Sequence, residues 1–175
     1  LGYAAIILEG RPADDTLYKM VVNKDGVKIE ADNSLKMLGN YDLVEKMKAA
    51  YGDKVACISI GPAGEMKMSA ASIAFTDMEQ RPTRHAGRGG VGAVMGSKGL
   101  KVIIVDDEGM ARREPADPEK FKAANKEFVA GLKKHPVTGE GLPAYGTNVL
   151  TNVVNEAGGY PTNNFSTGQF AGASK

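Results

Sequence analysis

Residues 84–99 read Arg84-His85-Ala86-Gly87-Arg88-Gly89-Gly90-Val91-Gly92-Ala93-Val94-Met95-Gly96-Ser97-Lys98-Gly99, a run carrying six glycines and three permanent cations. Glycines remove every Cβ from the approach of a ligand and reach φ > 0 at little cost, while successive N–H groups and flanking Arg and Lys supply positive potential. The segment is built for a phosphate-bearing ligand.

Two general phosphate motifs can be set against it. A Walker loop needs Gly-Lys followed by Ser or Thr, with lysine on the β/γ-phosphates and the hydroxyl on magnesium. Gly96-Ser97-Lys98 puts both groups in the wrong order. Gly87-x-Gly89-x-x-Gly92 fits the dinucleotide pattern, with Asp106 or Asp107 about twenty residues downstream where a ribose-binding acid belongs. Its context is wrong, because the polar stretch Asp77–His85 precedes the glycines where a strand should. The helix after them has room only from about Val91 to Met95 before Gly96 and Gly99 interrupt it. A nicotinamide-binding loop and a purely structural glycine turn remain as alternatives.

Outward from this run the chain reads as α+β. Val55–Ile60 and Leu100–Val105 are apolar strands, Ser69–Thr76 a further strand, and Tyr3–Glu9 a buried one. Leu17–Val22 and Val27–Ile29 flank a hairpin turn at Asn23-Lys24-Asp25-Gly26. Asn40 caps a helix to about Tyr51 whose apolar face is Leu43, Val44 and Met47, with Gly52 as the stop. Glu108–Pro118 reads as a linker; Asp117-Pro118 then opens a helix with Phe121, Ala124, Phe128 and Leu132 at helical spacing. A second helix runs from about Gly146 to Gly158. Met66, Met68, Met78 and Met95 are spaced too unevenly for a soft-metal site and read as gap-fillers in a core. His135, before Pro136, reads as a solvated turn residue.

Four ordered strings carry a resemblance to a known family. Residues 84–101 are similar to the signature of the aldehyde:ferredoxin oxidoreductases, the tungsten- or molybdenum-bispterin enzymes. Ile60-Gly61-Pro62-Ala63-Gly64-Glu65 resembles a second family motif, and Gly141–Thr147 and Tyr160–Phe165 a third and a fourth. Leu1–Gly10 resembles a family strand, so the similarity covers essentially the whole chain. The resemblance implies a mixed β-sheet N-terminal pterin-binding domain, truncated, over residues 1–112, and the first helices of an all-α domain over 113–175.

It also implies chemistry. In the family, two pterin dithiolenes chelate one tungsten and a magnesium ion bridges their phosphates. Carried over residue by residue, Arg84 matches an arginine beside the pterin and the cluster, and His85 a position giving its backbone carbonyl to Mg2+. Ala86, Gly87, Arg88, Gly89 and Gly90 complete the cofactor-binding loop. His85 departs from the family pattern, where small residues are common. The implied reaction oxidises an aldehyde to a carboxylic acid and passes electrons through a [4Fe–4S] cluster to ferredoxin or another acceptor, in a cytoplasmic homo-oligomer. Family members carry a further pterin loop before this region and the cluster cysteines after it. The chain therefore reads as a fragment without catalytic residues, inactive alone; a non-catalytic binding or scaffolding piece is the alternative of a different class.

Composition narrows the partners. Lys plus Arg at 22 against Asp plus Glu at 21 gives a formal charge of +1, so no broad field favours nucleic acid or a membrane surface. No apolar run of about eighteen residues is present. Cys57, the single cysteine, lies in the apolar run Val55–Ile60 and reads as a small buried hydrophobe; a cluster needs several thiolates.

Overall fold

The computed structural model describes residues 1–111 and 113–172, which fall into two compact units, Leu1–Ala111 and Arg112–Lys175. Arg112, beside the expected domain boundary, and residues 173–175 at the end of the expected helical region lie outside the described residues.

The first unit is built on β1 (Tyr18–Asn23) and β2 (Gly26–Ala31), then α1 (Asn40–Tyr51), β3 (Ala56–Ser59), the one-turn helix α2 (Pro62–Glu65), β4 (Ile73–Phe75), β5 (Arg84–Ala86), α3 (Val91–Ser97) and β6 (Leu100–Val105). The strands form one mixed sheet in the order β2-β1-β6-β3-β4-β5. Only β1 and β6 run parallel; the other neighbouring pairs are antiparallel. The sheet and its helices make the α+β fold that the sequence predicts.

Side-chain alternation gives the sheet two faces. Val21, Cys57, Val102 and Ile104 pack with Leu35 and Val55 against Leu43, Val44 and Met47 of α1. On the other face Met20, Val22, Ile60 and Leu100 pack against Met95 of α3. Each such side chain stabilises the fold by about 1.5–3 kcal/mol relative to exposure, which makes these two layers the main driving force.

The hairpin forms where the turn residues place it, with Asn23 opposite Gly26 and the Asn23 side chain accepting the Asp25 N–H at 3.0 Å. Helix α1 begins one residue earlier than a cap at Asn40 would give: Gly39 is the cap and Asn40 the first helical residue. The Asn40 side-chain Oδ1 instead accepts the buried Ser59 hydroxyl of β3 at 3.3 Å. Gly52, at φ +100°, ends the helix as predicted.

Three expectations fail for identifiable reasons. Tyr3–Glu9 forms no strand; Leu1 and Leu8 lean on the sheet face instead of extending an edge, and Ile7 stays 85% exposed. β4 is confined to Ile73–Phe75, because residues 69–72 are used to seat α3. Of the four methionines only Met95 fills a core; Met66, Met68 and Met78 lie on turns and are 59%, 49% and 95% exposed.

In the second unit, α4 (Pro118–Lys134) starts as predicted, with the Asp117 carboxylate accepting the Lys120 N–H at 3.0 Å. A π-helical turn (Pro136–Gly141) and α5 (Leu142–Tyr145) follow; the single helix expected from Gly146 to Gly158 is instead a 3-10 turn (Gly146–Leu150) and a shorter α6 (Thr151–Glu156), with Gly146 and Gly158 at positive φ. His135 is exposed, and its Nδ1 accepts the Val137 N–H at 3.2 Å, which makes it a local cap. Asn155 is buried and its side-chain oxygen accepts the Phe170 N–H at 2.7 Å, tying the last segment down. No residue of α4 is buried within this unit, although Phe121 and Phe128 lie on it.

Candidate cofactor site

The glycine run is delivered by β5, a three-residue edge strand that the sequence does not announce. Ala86, His85 and Arg84 pair with Ile73, Ala74 and Phe75 of β4. Charged residues are tolerated on an edge strand, where one side meets solvent. The His85 imidazole is tied to the Ser72 hydroxyl, with 2.9 Å between Nδ1 and Oγ.

A tight turn at residues 77–83 aims β5. The Asp77 carboxylate accepts the N–H groups of Glu79 and Arg81 at 2.9 and 3.0 Å and the Thr83 hydroxyl at 2.7 Å, with the Arg81 guanidinium at 3.4 Å. These donors, the Thr83 hydroxyl first, hold the carboxyl down at about 2, below its ordinary 3.8. A depressed folded-state value means that the unfolded chain takes up the proton first as pH falls. The turn's contribution should thus be complete above pH 3.8 and disappear as pH falls through about 2. Protection of the Glu79 and Arg81 amides, relative to their intrinsic exchange rates, should fall across that window in the native protein and be low at every pH in Asp77→Ala; equal protection profiles for the two proteins would contradict this.

Beyond β5 the backbone turns into α3 through Gly89 and Gly90, at φ +84° and +65°. A Cβ on Gly90 would land on the Ser69 carbonyl oxygen, and one on Gly92 on that of Ser72. The Gly92 N–H donates to the Ala71 carbonyl at 3.0 Å. Gly96 lies with its Cα hydrogens against the Gly64 carbonyl. These three glycines are therefore explained by packing of the chain on itself.

Gly87 is different. A Cβ there would meet nothing within 4 Å, and its φ lies outside the left-handed region. Gly89 likewise faces open space, although its φ alone favours glycine. Residues 84–89 are all exposed, and among the described residues neither the Arg84 nor the Arg88 guanidinium has an ion-pair partner. The geometry brings together all seven residues 84–90: an edge strand, a bare backbone and two unpaired guanidinium groups on one short arc. Gly90 alone of them is buried. A planar, permanently charged guanidinium beside unobstructed backbone suits a phosphate or pterin edge.

One pair of charged residues escapes the sequence reading. Lys101, inside the apolar run Leu100–Val105, is fully buried; its ammonium donates to the Leu38 carbonyl at 2.8 Å and to the Glu65 carboxylate. Glu65 also accepts the Met37 N–H, at 2.9 Å to Oε2 and 3.1 Å to Oε1. Burial pushes the lysine below its ordinary value and Glu65 opposes that shift. A lone lysine in an otherwise apolar strand is the signal that could have disclosed the pair.

The dinucleotide alternative fails on topology. The glycines do follow a strand, but β5 and β6 run in opposite directions and are separated by β4 and β3, so no parallel βαβ crossover exists. Asp106 ends β6 with its carboxylate accepting the Glu108 N–H at 3.0 Å. Cys57 is buried and its thiol is pushed up to about 11 by burial, which leaves it inert. Among the described residues no group of three His, Cys, Asp or Glu could hold a metal ion, and no helix is long and apolar enough to cross a membrane. A cleft of about 1140 Å³ opens at the other end of α3, lined in part by Asp14, Lys36 and Lys98, and includes none of residues 84–90.

Comparison with known proteins places the chain in a family. The pattern of the aldehyde ferredoxin oxidoreductase N-terminal domain matches residues 1–107, and that of domains 2 and 3 matches 123–175. The chain belongs to the aldehyde ferredoxin oxidoreductase family. It is 45% identical over 172 residues to the tungsten-containing aldehyde ferredoxin oxidoreductase of Pyrococcus abyssi, covering 97% of this chain and 26% of that protein. The Pyrococcus horikoshii enzyme of the same name is 46% identical over the same shares. An aliphatic sulfonate oxidoreductase subunit of Pyrococcus furiosus is 31% identical, covering 73% of this chain and 21% of that one. Among solved structures, the active-site complex of benzoyl coenzyme A reductase with a dienoyl-CoA matches with a TM-score of 0.61 and 31% identity, over 71% of this chain and 18% of that one. The chain thus spans about a quarter of the length of the tungsten relatives.

Proposed function

We propose that residues 84–90 form one wall of the pterin site of a tungsten enzyme that oxidises aldehydes to carboxylic acids. The observation that carries this reading is Gly87, a glycine that neither its own φ nor any internal contact requires, standing between two guanidinium groups without partners. Close approach of a ligand to the backbone supplies a physical reason for it.

The residues fit such a group. Arg84 and Arg88 would neutralise and orient phosphate or pterin oxygens, each through charge-assisted hydrogen bonds. Gly87 and Gly89 would admit the phosphate to the main chain. His85, whose Nδ1 is engaged by the Ser72 hydroxyl, would offer its backbone carbonyl, an oxygen ligand of the kind Mg2+ takes while keeping waters. When bound, a tungsten bispterin supplies the two-electron oxidation itself; this chain binds and orients. A [4Fe–4S] cluster and an acceptor such as ferredoxin complete the electron path through other parts of the protein, since one inert thiol cannot hold a cluster. Residues 1–112 would be the pterin-binding part and 113–175 the start of a helical domain, in a cytoplasmic homo-oligomer.

The relatives' names cover aldehydes, aliphatic sulfonates and benzoyl coenzyme A. A segment shared by proteins of such different substrates suits a cofactor role better than substrate selection. Tungsten and pterin analysis of the complete protein, purified without oxygen, tests the reading. Stoichiometric tungsten is expected; bound nicotinamide dinucleotide without tungsten would overturn it.

A further inference from the structure

We infer that Glu65 and Lys101 are positioning residues for the glycine loop: their buried pair fixes α2, and α2 fixes α3 and the Gly87–Gly90 backbone at its head through a backbone contact between Gly64 and Gly96. The functional meaning of this inference rests on the cofactor-site reading, but its test does not.

The Lys101 ammonium sits at the level of β6 and gathers two separate elements onto that strand, the Leu38 carbonyl and the Glu65 carboxylate. The same carboxylate holds the Met37 N–H, and Met37 is held at φ +61°. Glu65 is the last residue of α2, so this end of the short helix is fastened to both β6 and the 36–38 segment. On its other side α2 meets α3 with no side chain between them. The Gly64 carbonyl occupies the space where Gly96 would carry a Cβ, and the Gly92 carbonyl lies 3.1 Å from where Gly64 would carry one. Backbone against backbone cannot yield by rotamer change, so α3 must follow α2.

The head of α3 is likewise fixed by main-chain contacts, Gly90 against the Ser69 carbonyl and Gly92 on that of Ala71. Gly87–Gly90 lead directly into that head. Neither Glu65 nor Lys101 has a hydrogen bond to residues 84–90, so any effect on the loop must pass through the helices. A buried ion pair commonly adds no more stability than apolar residues of the same volume, which leaves geometric specificity as its contribution here.

The test compares the 175-residue chain, Glu65→Gln, the double variant Glu65→Met/Lys101→Met, and Leu43→Ala as a control destabilised in the opposite core layer. Hydrogen exchange at Gly89, Gly90 and Val91 is read at temperatures that give equal global stability, alongside inorganic pyrophosphate binding followed at the same amides. Both pair variants should open the loop about tenfold more often than the control and bind pyrophosphate correspondingly more weakly. Loop exchange no faster than in Leu43→Ala, in either folded pair variant, would overturn the inference. Should Glu65→Gln fail to fold, the double variant, which leaves no unpaired charge, decides alone. If the unsubstituted chain bound no pyrophosphate, the cofactor-site reading would suffer, while the exchange comparison would still uphold or overturn the positioning.

Discussion

Glu65→Ala is expected to lower the stability of the folded chain by about 3–5 kcal/mol, the cost of leaving one buried charge without its partner. Lys101 is fully buried and 6% of the Glu65 side chain is exposed, so the orphaned ammonium keeps the Leu38 carbonyl as its one partner among the described residues. The Met37 N–H loses its acceptor as well. Removing both charges should cost far less: Glu65→Met/Lys101→Met is expected near the parent's stability, because the desolvation penalty disappears with the charges. The pH dependence of the single variant follows from the lysine's depressed value. With its folded-state value lowered, the unfolded chain binds more protons than the folded one only between that lowered value and the lysine's ordinary 10.5, so stability rises with pH within that window. Chemical denaturation of the three proteins at neutral and alkaline pH checks both parts. A Glu65→Ala chain as stable as the parent would show that the pair is not buried as described.

The second large effect concerns Gly96. A Cβ there would overlap the Gly64 carbonyl oxygen, a backbone atom that cannot rotate away. Overpacking of this kind costs about 1–3 kcal/mol, with an immovable neighbour placing it at the upper end. Alanine gains roughly 1 kcal/mol over glycine in helix propensity, so the steric term wins and Gly96→Ala should be destabilising. Gly131 provides the opposite sign. It lies inside α4 with nothing within 4 Å of its would-be Cβ, and Gly131→Ala should stabilise its helix by about 0.5–1 kcal/mol. Thermal unfolding of the two variants reads both signs; stabilisation by Gly96→Ala would rule out the close contact of α2 and α3.

Strands β1, β2, β3 and β6, the hairpin and helices α1 and α4 were legible because each rests on local signals: alternation, a turn dipeptide, a capping Asp117-Pro118, a terminal Gly52. Residues 84–90 were legible as a unit for the same reason. What sequence could not supply was the distinction among the glycines. Gly90, Gly92 and Gly96 answer to carbonyls of residues far from them in the chain, whereas Gly87 answers to none, and only three-dimensional contacts separate the two kinds. β5 escaped because its pairing with β4 is a tertiary fact laid over charged residues. The segment Tyr3–Glu9 misled because an apolar run specifies burial on some surface, here Leu8 against the sheet face, and not pairing with an edge. Lys101 was hidden by its apolar neighbours, its partner lying 36 positions away.

The most direct measurement of the central claim is cofactor loading in Gly87→Val, made in the complete protein and purified without oxygen. A Cβ at this exposed position meets nothing within 4 Å and φ lies outside the left-handed region, so folding stability should change by no more than about 0.5 kcal/mol. Tungsten and pterin content should nevertheless fall steeply, because a β-branched side chain would stand where the phosphate meets the backbone. Arg84→Ala should fall with it, losing charge-assisted hydrogen bonds of about 1.5–3 kcal/mol each. A Gly87→Val protein that keeps full tungsten and pterin at unchanged stability would show that residues 84–90 are a surface turn and not the cofactor's wall.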